Sequence, residues 1–402
     1  MKRTSVGLTR RSMLVTGTMG LAAASMPRLA LAQDGPIKVG SLTPLTGVGG
    51  TYGPSMRDAI AGVIASVNEA GGVIGREVEL VSEDTQTNPE AAVRAARKLI
   101  DLDGVSAIMG TWASSVTTAV APVCWESGVM LFTVSGSDSI TLLPHQGYII
   151  RTQPNSHLQI SVAADFMVAQ GGTKFGWVGP QTPFAAESIA VTRETGEKNG
   201  IETIELIYEA DKTSYRSEVD RVLAESPDFI LLGGYVADST VLLRDLYQAG
   251  YDGRIIGPAY AVNQSLIDAL PPEVIEGVFT WEGTPDIESG AYARVKAILG
   301  VDTVDPYSAQ TYDHASLCML AIQSAGSAKG PDIRDNVRKI SQGDGETVDN
   351  AVDGISILAG GGSVNYSGAS GPCDFTDIGD ITKTNFLFKR IEGGKAVDFE
   401  RI

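Results

Sequence analysis

The chain has 402 residues, 43% of them hydrophobic and 20% charged, and its 48 acidic against 31 basic residues give a net charge of −17. A field of that sign repels phosphate surfaces, which argues against a nucleic-acid or anionic-membrane partner. The hydrophobic share is ordinary for a packed globule, and 46 glycines suggest many tight turns between strands and helices.

In chain order, the first 32 residues read as an export leader. Thr9-Arg10-Arg11-Ser12-Met13-Leu14 precedes a mildly apolar stretch to about Met26, and Ala30-Leu31-Ala32 stands before Gln33. The paired arginines, Arg28 near the cut and the A-x-A end predict a twin-arginine signal peptide cleaved after Ala32, a route that carries folded cargo. An ordinary secretory peptide is the alternative, because Met13 and Val15 replace the Phe and Lys usual in that motif. Both readings predict export. The stretch is too short and too rich in Gly, Thr and Ser for a spanning helix of ~20 apolar residues, and no later segment qualifies. With no cysteine in the leader to carry a lipid, a free, soluble periplasmic protein is expected. Loss of Lys2, Arg3, Arg10, Arg11 and Arg28 with the leader moves the net charge from −17 to −22. About 370 residues remain, more than one core usually supports, so two lobes of roughly 150–200 residues are expected.

The mature part opens with a strand at Ile37-Lys38-Val39-Gly40-Ser41-Leu42, followed by a turn through Gly47, Gly49 and Gly50. Helix-period apolar residues run from Met56 through Ile60, Val63, Ile64 and Val67 to a Gly71-Gly72 stop. Glu77 to Val81 alternates as a strand, and Thr87-Asn88 before Pro89-Glu90 is a helix start, with proline where its missing N–H costs nothing. The unit repeats with strands at Ala107-Ile108-Met109, Val129 to Phe132, Lys174 to Val178 and Phe229 to Leu232, and with a helix after Ser114. Such alternation implies an α/β fold of parallel sheets with helices on both faces. In open parallel sheets ligands lie beyond the carboxyl ends of the strands. Gly360-Gly361-Gly362 is read as a loop. Cys124, Cys318 and Cys373 are far apart, so at most one disulfide is available, and buried thiols are expected.

Certain of these turns carry a resemblance. Leu45-Thr46-Gly47 to Thr51-Tyr52-Gly53, Asn68-Glu69-Ala70-Gly71-Gly72-Val73-Ile74-Gly75-Arg76 and Glu83-Asp84 before Asn88-Pro89 come in the order and at the intervals of the leucine/isoleucine/valine-type solute-binding proteins of ABC importers. The chain resembles that family through Gly110 to Ser115, Thr133 to Ser137, Gly233-Gly234-Tyr235, Gly257-Pro258, Thr311-Tyr312-Asp313 and Gly371-Pro372 to Gly379-Asp380, nearly its whole mature length. The resemblance implies two Rossmann-like lobes of the type I periplasmic-binding fold, joined by three hinge crossovers and closing on a ligand. Crossovers are expected near Arg151-Thr152, Trp281-Glu282 and Pro372 to Asp374. Lobe one would then be residues 36–152 with 284–372, and lobe two 153–283 with 373–402.

Ser114 and Ser115 follow a strand and open a helix, where a hydroxyl and free backbone N–H groups favour an anion. Taken alone, Ser114 is a plain capping serine; the resemblance implies a carboxylate cradle, completed by Ser135-Gly136-Ser137 at the next strand end. Tyr52, Trp112, Phe184, Tyr235 and Tyr312 fall at turns that the resemblance directs into the cleft, although any one aromatic is more often core. Family members that bind α-amino acids place an acid two residues after the position of Gly257, to pair with the ammonium group. Here that residue is Ala259, followed by Tyr260. Either Asp238 or Asp313 substitutes, or the ligand has no ammonium, since a buried unpaired charge is costly. Trp112 within Gly110-Thr111-Trp112-Ala113-Ser114 also resembles the amide- and urea-binding branch of the family.

An exported hydrolase is the rival from another class. No G-x-S-x-G elbow, HExxH or Cys/His cluster is present, and the turn from Gly47 to Tyr52 lacks the last glycine of a dinucleotide fingerprint. Of the three histidines, His145 and His157 are expected to be exposed and His314 to be structural. The expectation is therefore capture rather than catalysis, with no cofactor or metal, of a small amino-acid, amide or carboxylate ligand, by a monomer that docks on an ABC permease. A ligand sensor for a membrane receptor or kinase is the alternative, which the fold does not discriminate.

Overall fold

Strand and helix alternate along the chain as its apolar periods predict. The computed structural model describes residues 35–402, so the leader expected over residues 1–32 lies outside the described residues. From β1 (Ile37–Thr43) the chain runs through α1 (Gly53–Glu69), β2 (Val78–Asp84), α2 (Pro89–Arg97), β3 (Ala107–Thr111), α3 (Ser114–Glu126), β4 (Met130–Thr133), the short α4 (Ser139–Leu142) and β5 (Ile149–Arg151). These five strands form a parallel sheet in the order β2-β1-β3-β4-β5. The pattern then repeats through α5 (Ser156–Ala169), β6 (Lys174–Pro180), α6 (Pro183–Asn199), β7 (Glu202–Tyr208), α7 (Arg216–Ala224), β8 (Phe229–Leu232), α8 (Val236–Gln248) and β9 (Arg254–Pro258). It closes with α9 (Gln264–Ala269), α10 (Pro272–Ile275) and β10 (Phe279–Gly283), and its strands lie parallel in the matching order β7-β6-β8-β9-β10.

The chain then packs α11 (Gly290–Leu299), α12 (Pro306–Ala325), α13 (Gly330–Val337), β11 (Glu346–Val348), α14 (Ala351–Ala359), β12 (Val364–Gly368) and β13 (Gly371–Pro372) beside the first sheet. It ends in β14 (Phe386–Glu392) and β15 (Lys395–Arg401), which extend the second sheet antiparallel at its β10 edge. Cys373, Phe375 and Ile381 share the core that holds Met109 and Phe132 of the first sheet. Residues 373–381, expected with the second lobe, therefore pack with the first, and the last crossing falls between Ile381 and Phe386.

Local chemistry accounts for the elements. At β8 the alternate residues Phe229 and Leu231 enter one core and Ile230 and Leu232 the other, as the period of two requires of a strand covered on both faces. Helix starts follow capping rules: Asn88 accepts from the Ala91 N–H, Asn155 from Leu158, Thr182 from Ala185, and Asp305 from both Tyr307 and Ser308. Helix α12 is buried from Tyr307 to Ile322, an all-round burial that marks a helix inside a core rather than on a surface. The three cysteines are free and buried, and burial pushes the Cys124 thiol up to about 12.

Both sheets have the same doubly wound order, so each has a switch point, β1/β3 in one and β6/β8 in the other, where the turns diverge and leave a crevice. The turns after β1 and β3 carry Tyr52, Trp112 and Ser114, and those after β6 and β8 carry Thr182, Phe184 and Tyr235.

Candidate functional site

These turns meet. A narrow cavity of about 50 Å³ is lined by Trp112, Ser114, Ser115 and Gly136 from the first sheet and by Thr182, Phe184, Tyr235 and Tyr260 from the second, with Gln153, Gln159 and Tyr307 at its back. Trp112 is the hub of the aromatic lining. Its ring lies 5.7 Å from Tyr52, 5.6 Å from Tyr235, 6.1 Å from Tyr260 and 5.8 Å from Tyr307. Phe184 closes the set, 6.2 Å from Tyr260. The cluster thus spans both sheets, in the tilted and edge-on arrangements that aromatic quadrupoles favour.

Two glycines are fixed by this crowding. Gly110 has φ +94° at an irregularity of the β3 ladder, and a Cβ there would stand 2.7 Å from Thr43 Cγ2. A Cβ on Gly136 would meet Phe184 at 2.8 Å and Gln159 at 2.9 Å, so only glycine lets these side chains reach the backbone.

Ser114 is the first residue of α3, whose N-cap, Ala113, has no capping side chain. The first-turn N–H groups are left to other acceptors, with the helix dipole behind them. The Ser114 Oγ accepts from the Ser137 N–H at 3.1 Å, which leaves the hydroxyl proton to be donated into the cavity. The peptides of residues 135–139 are gripped from two sides. Arg151, buried and ion-paired to Asp380 at 2.6 Å, donates to the carbonyls of Ser135, Gly136 and Ser137. Glu187 of α6 accepts from the N–H groups of Asp138 at 2.6 Å and Ser139 at 2.9 Å and from the hydroxyls of Ser137 and Ser156. Burial pushes the Glu187 carboxyl up, but these four donors outweigh it and hold the group below its ordinary value.

Behind the aromatic cluster lies a second, roomier chamber of about 240 Å³, which shares Gln153, Gln159, Tyr260 and Tyr307 with the first. Tyr52, Ala259, Asn263, Glu282, Asp305 and Lys389 complete its wall. The Tyr52 Oη donates to the Ala259 carbonyl at 3.3 Å and accepts from the Asn263 amide at 3.1 Å, and burial raises the phenol to about 12. Three amides run in a chain along the back, Gln310 donating to Gln153 at 2.7 Å and Gln153 to Gln159 at 3.1 Å.

The structure therefore brings Tyr52, Trp112, Ser114, Gly136, Phe184 and Tyr235 together. Ser135 and Ser137 stand behind the cavity wall: the Ser135 hydroxyl donates to the Trp112 carbonyl at 2.7 Å, and the Ser137 hydroxyl is taken by Glu187. Tyr312 does not join them. It lies in the core beside Arg294 and Asp349, on another face of α12. Neither acid considered for the place of Ala259 lines either chamber. Asp238 accepts from the Tyr215 hydroxyl at 2.5 Å and the Asp211 N–H, and Asp313 accepts from Tyr366 at 2.7 Å and from the Ala369 and Ser370 N–H groups at 2.8 Å each. His145 is buried rather than exposed, because its ring turns back onto α4, with Nε2 3.2 Å from the Thr141 carbonyl. His157 is exposed, and His314 is buried with its Nε2 2.8 Å from the Thr152 hydroxyl.

Sequence reasoning did not single out Ser115's neighbours in the wall, Gln153, Gln159, Thr182 and Tyr307. Thr182-Pro183 and Asp305-Pro306 are helix-start signals directly before or at such residues, and they were the available clue.

Two doubly wound lobes with a lined cleft between their switch points define a bilobed solute-binding protein. Comparison with known proteins identifies the line: the chain belongs to the periplasmic binding protein family, whose model matches residues 36–355. It is 27% identical over 357 residues, 85% of this chain and 84% of the relative, to a chemotactic signal transduction system substrate-binding protein, BasB, of Halobacterium salinarum. It is also 27% identical, over 91% of this chain and 92% of the relative, to the leucine-, isoleucine-, valine-, threonine- and alanine-binding protein of Pseudomonas aeruginosa. Among solved structures, the leucine-binding protein LivK of Thermotoga maritima superposes with a TM-score of 0.76 at 20% identity, covering 91% of this chain and 98% of that one. A solute-binding protein of an ABC transporter from R. palustris in complex with benzoate does so at 0.73 and 18% identity, covering 91% and 96%. At such identities the superpositions establish the type I periplasmic-binding fold. Among the described residues no helix is long and apolar enough to cross a membrane.

Proposed function

We propose that this chain is the extracytoplasmic solute-binding component of an ABC importer and captures a small carboxylate- or amide-bearing ligand between its lobes. The observation that carries this reading is the Ser114 hydroxyl, which accepts from the Ser137 N–H and keeps its proton to donate into the cavity, beside the uncapped N-terminus of α3. Such a group recognises an acceptor oxygen, and the helix end favours one bearing negative charge. The residues lining the first chamber include no Asp, Glu, Lys or Arg, so the aromatic walls supply area and the ligand's acceptor end supplies orientation.

On this reading the acceptor end binds first to the Ser114 side. Closure of the second lobe then brings Phe184, Tyr235 and Tyr260 over the remaining face, its closed population raised by ligand contacts to both lobes. The lobes are residues 36–152 with 284–381, and 153–283 with 386–402. The protein works as a periplasmic monomer, exported by the twin-arginine route, and its closed form docks on a membrane permease. The names of relatives that bind branched-chain amino acids, and of a structural neighbour holding benzoate, support the ligand class. A second reading, ligand sensing for a membrane receptor, is favoured by the likeness to the chemotactic protein of Halobacterium.

The test is calorimetric titration of the refolded, ligand-stripped protein with small carboxylates, amides and amino acids. Ser114→Ala is expected to weaken binding by roughly 1–3 kcal/mol, the range for a lost partner of a charged group. Unchanged affinity in that variant would remove Ser114 from the site.

A further inference from the structure

The cleft is asymmetric in both room and charge. The chamber at Ser114 holds about 50 Å³, whereas the chamber behind it holds about 240 Å³. The two share Gln153, Gln159, Tyr260 and Tyr307 as wall residues, so the chambers lie side by side across those side chains. Formal charge is confined to the second chamber, where Glu282, Asp305 and Lys389 contribute two negative groups and one positive. Asp305 is committed: its carboxylate caps α12, accepting from the Tyr307 and Ser308 N–H groups at 3.0 Å each and from the Ser308 hydroxyl at 2.5 Å. Glu282 has Lys389 as its partner, at 2.5 Å, and both side chains are about one-fifth to one-quarter exposed.

We propose that the second chamber is a distal subsite for a cationic group, so that the ligand carries an acceptor end at Ser114 and an amine at Glu282, separated by an apolar spacer. This rests on the reading of Ser114 given above. The chemistry favours an ω-amino carboxylate or amide over an α-amino acid, whose two charged groups sit on one carbon. An ammonium beside the carboxylate end would face only neutral walls in the first chamber. At the far end the same ammonium meets a carboxylate whose lysine partner is solvent-accessible and can swing away, together with the Asn263 amide and the Tyr52 phenol.

The test is calorimetry on the refolded protein with four matched series of four to eight carbons: ω-amino carboxylates, unsubstituted carboxylates, α-amino acids and dicarboxylates. The best ω-amino carboxylate is expected to bind at least tenfold tighter than any other compound of its length. Glu282→Gln should abolish that preference while leaving unsubstituted carboxylates within twofold, and Lys389→Met should strengthen ω-amino binding by freeing Glu282. The opposite signs of the two variants separate recognition from general damage, and their melting temperatures without ligand check folding. Equal or tighter binding of α-amino acids or unsubstituted carboxylates overturns the subsite while leaving the Ser114 reading intact, provided that binding still depends on Ser114. Tighter dicarboxylates would mean that Lys389, not Glu282, selects the far end. Binding of no series, with amides and aromatic acids also inert, would overturn both.

Discussion

At the scale of single residues, helix geometry decides which aromatics reach the cleft. Tyr307 and Tyr312 lie five positions apart on α12, about 140° around an axis that turns 100° per residue. Tyr307 meets Tyr52 at 5.1 Å and Trp112 at 5.8 Å, while Tyr312 turns into the core beside Asp349. Tyr307→Ala is accordingly expected to weaken ligand binding roughly tenfold, the loss of an aromatic wall on two neighbours. Tyr312→Phe should leave the dissociation constant within twofold. Titration of both variants checks this, and the reverse order would mean that the cleft is reached from the other face of α12. Tyr52, Trp112 and Tyr235 were legible because each lies in a connection between a strand and the next helix that the resemblance directs into the cleft. Tyr312 was misleading for a definite reason: a motif names a helix, but only the phase of that helix says which of its residues looks inward.

At the scale of elements, the segment after β4 is held by charges that come from elsewhere in the chain. Arg151 at the end of β5 and Glu187 on α6 hold the carbonyls and N–H groups of residues 135–139, and Arg151 is in turn paired with Asp380, 229 residues away. Sequence patterns show that Ser135-Gly136-Ser137 follows β4 but not that these peptides need a guanidinium behind them, since the partners are remote in sequence. The same distance hid the packing of residues 373–381, whose Phe375 and Ile381 join the first core although the next strand belongs to the second sheet. The start of α2 at Asn88-Pro89, set by neighbours within three residues, was readable. Arg151→Met is expected to cost about 3 kcal/mol of stability, because it strands the Asp380 carboxylate and releases three buried carbonyls. It should also lower ligand affinity through the loosened Gly136 seat. Urea unfolding measures the first and calorimetry the second; a variant as stable as the parent would show that the segment holds its shape without the guanidinium.

At the scale of the whole molecule, stability depends on polar groups buried where the first lobe meets the hinge. His314 on α12 reaches the Thr152 hydroxyl just past β5, its Nδ1 has no hydrogen-bond partner, and burial pushes its pKa from the ordinary 6.5 down to about 3. A base depressed in the folded state is protonated first in the unfolded chain. The stability that neutral His314 allows is therefore complete above about pH 6.5 and is lost progressively as pH falls towards 3, by up to about 4 kcal/mol. Its neighbour Asp313 works in the opposite sense. Burial raises that carboxyl from 3.8 to about 6, so the folded protein takes up its proton first, and stability is regained as pH falls from 6 to 3.8. The two effects overlap between pH 6 and 4, and only their difference appears in the parent protein. Replacing His314 by Gln keeps an amide within reach of Thr152 and removes the titration. Chemical unfolding of parent and variant at intervals from pH 7 to 4 is expected to show the variant losing less stability on acidification, with the gap opening below pH 6.5. Parallel curves would mean that His314 carries its proton in the folded protein, and that the buried junction between lobe and hinge tolerates a charge.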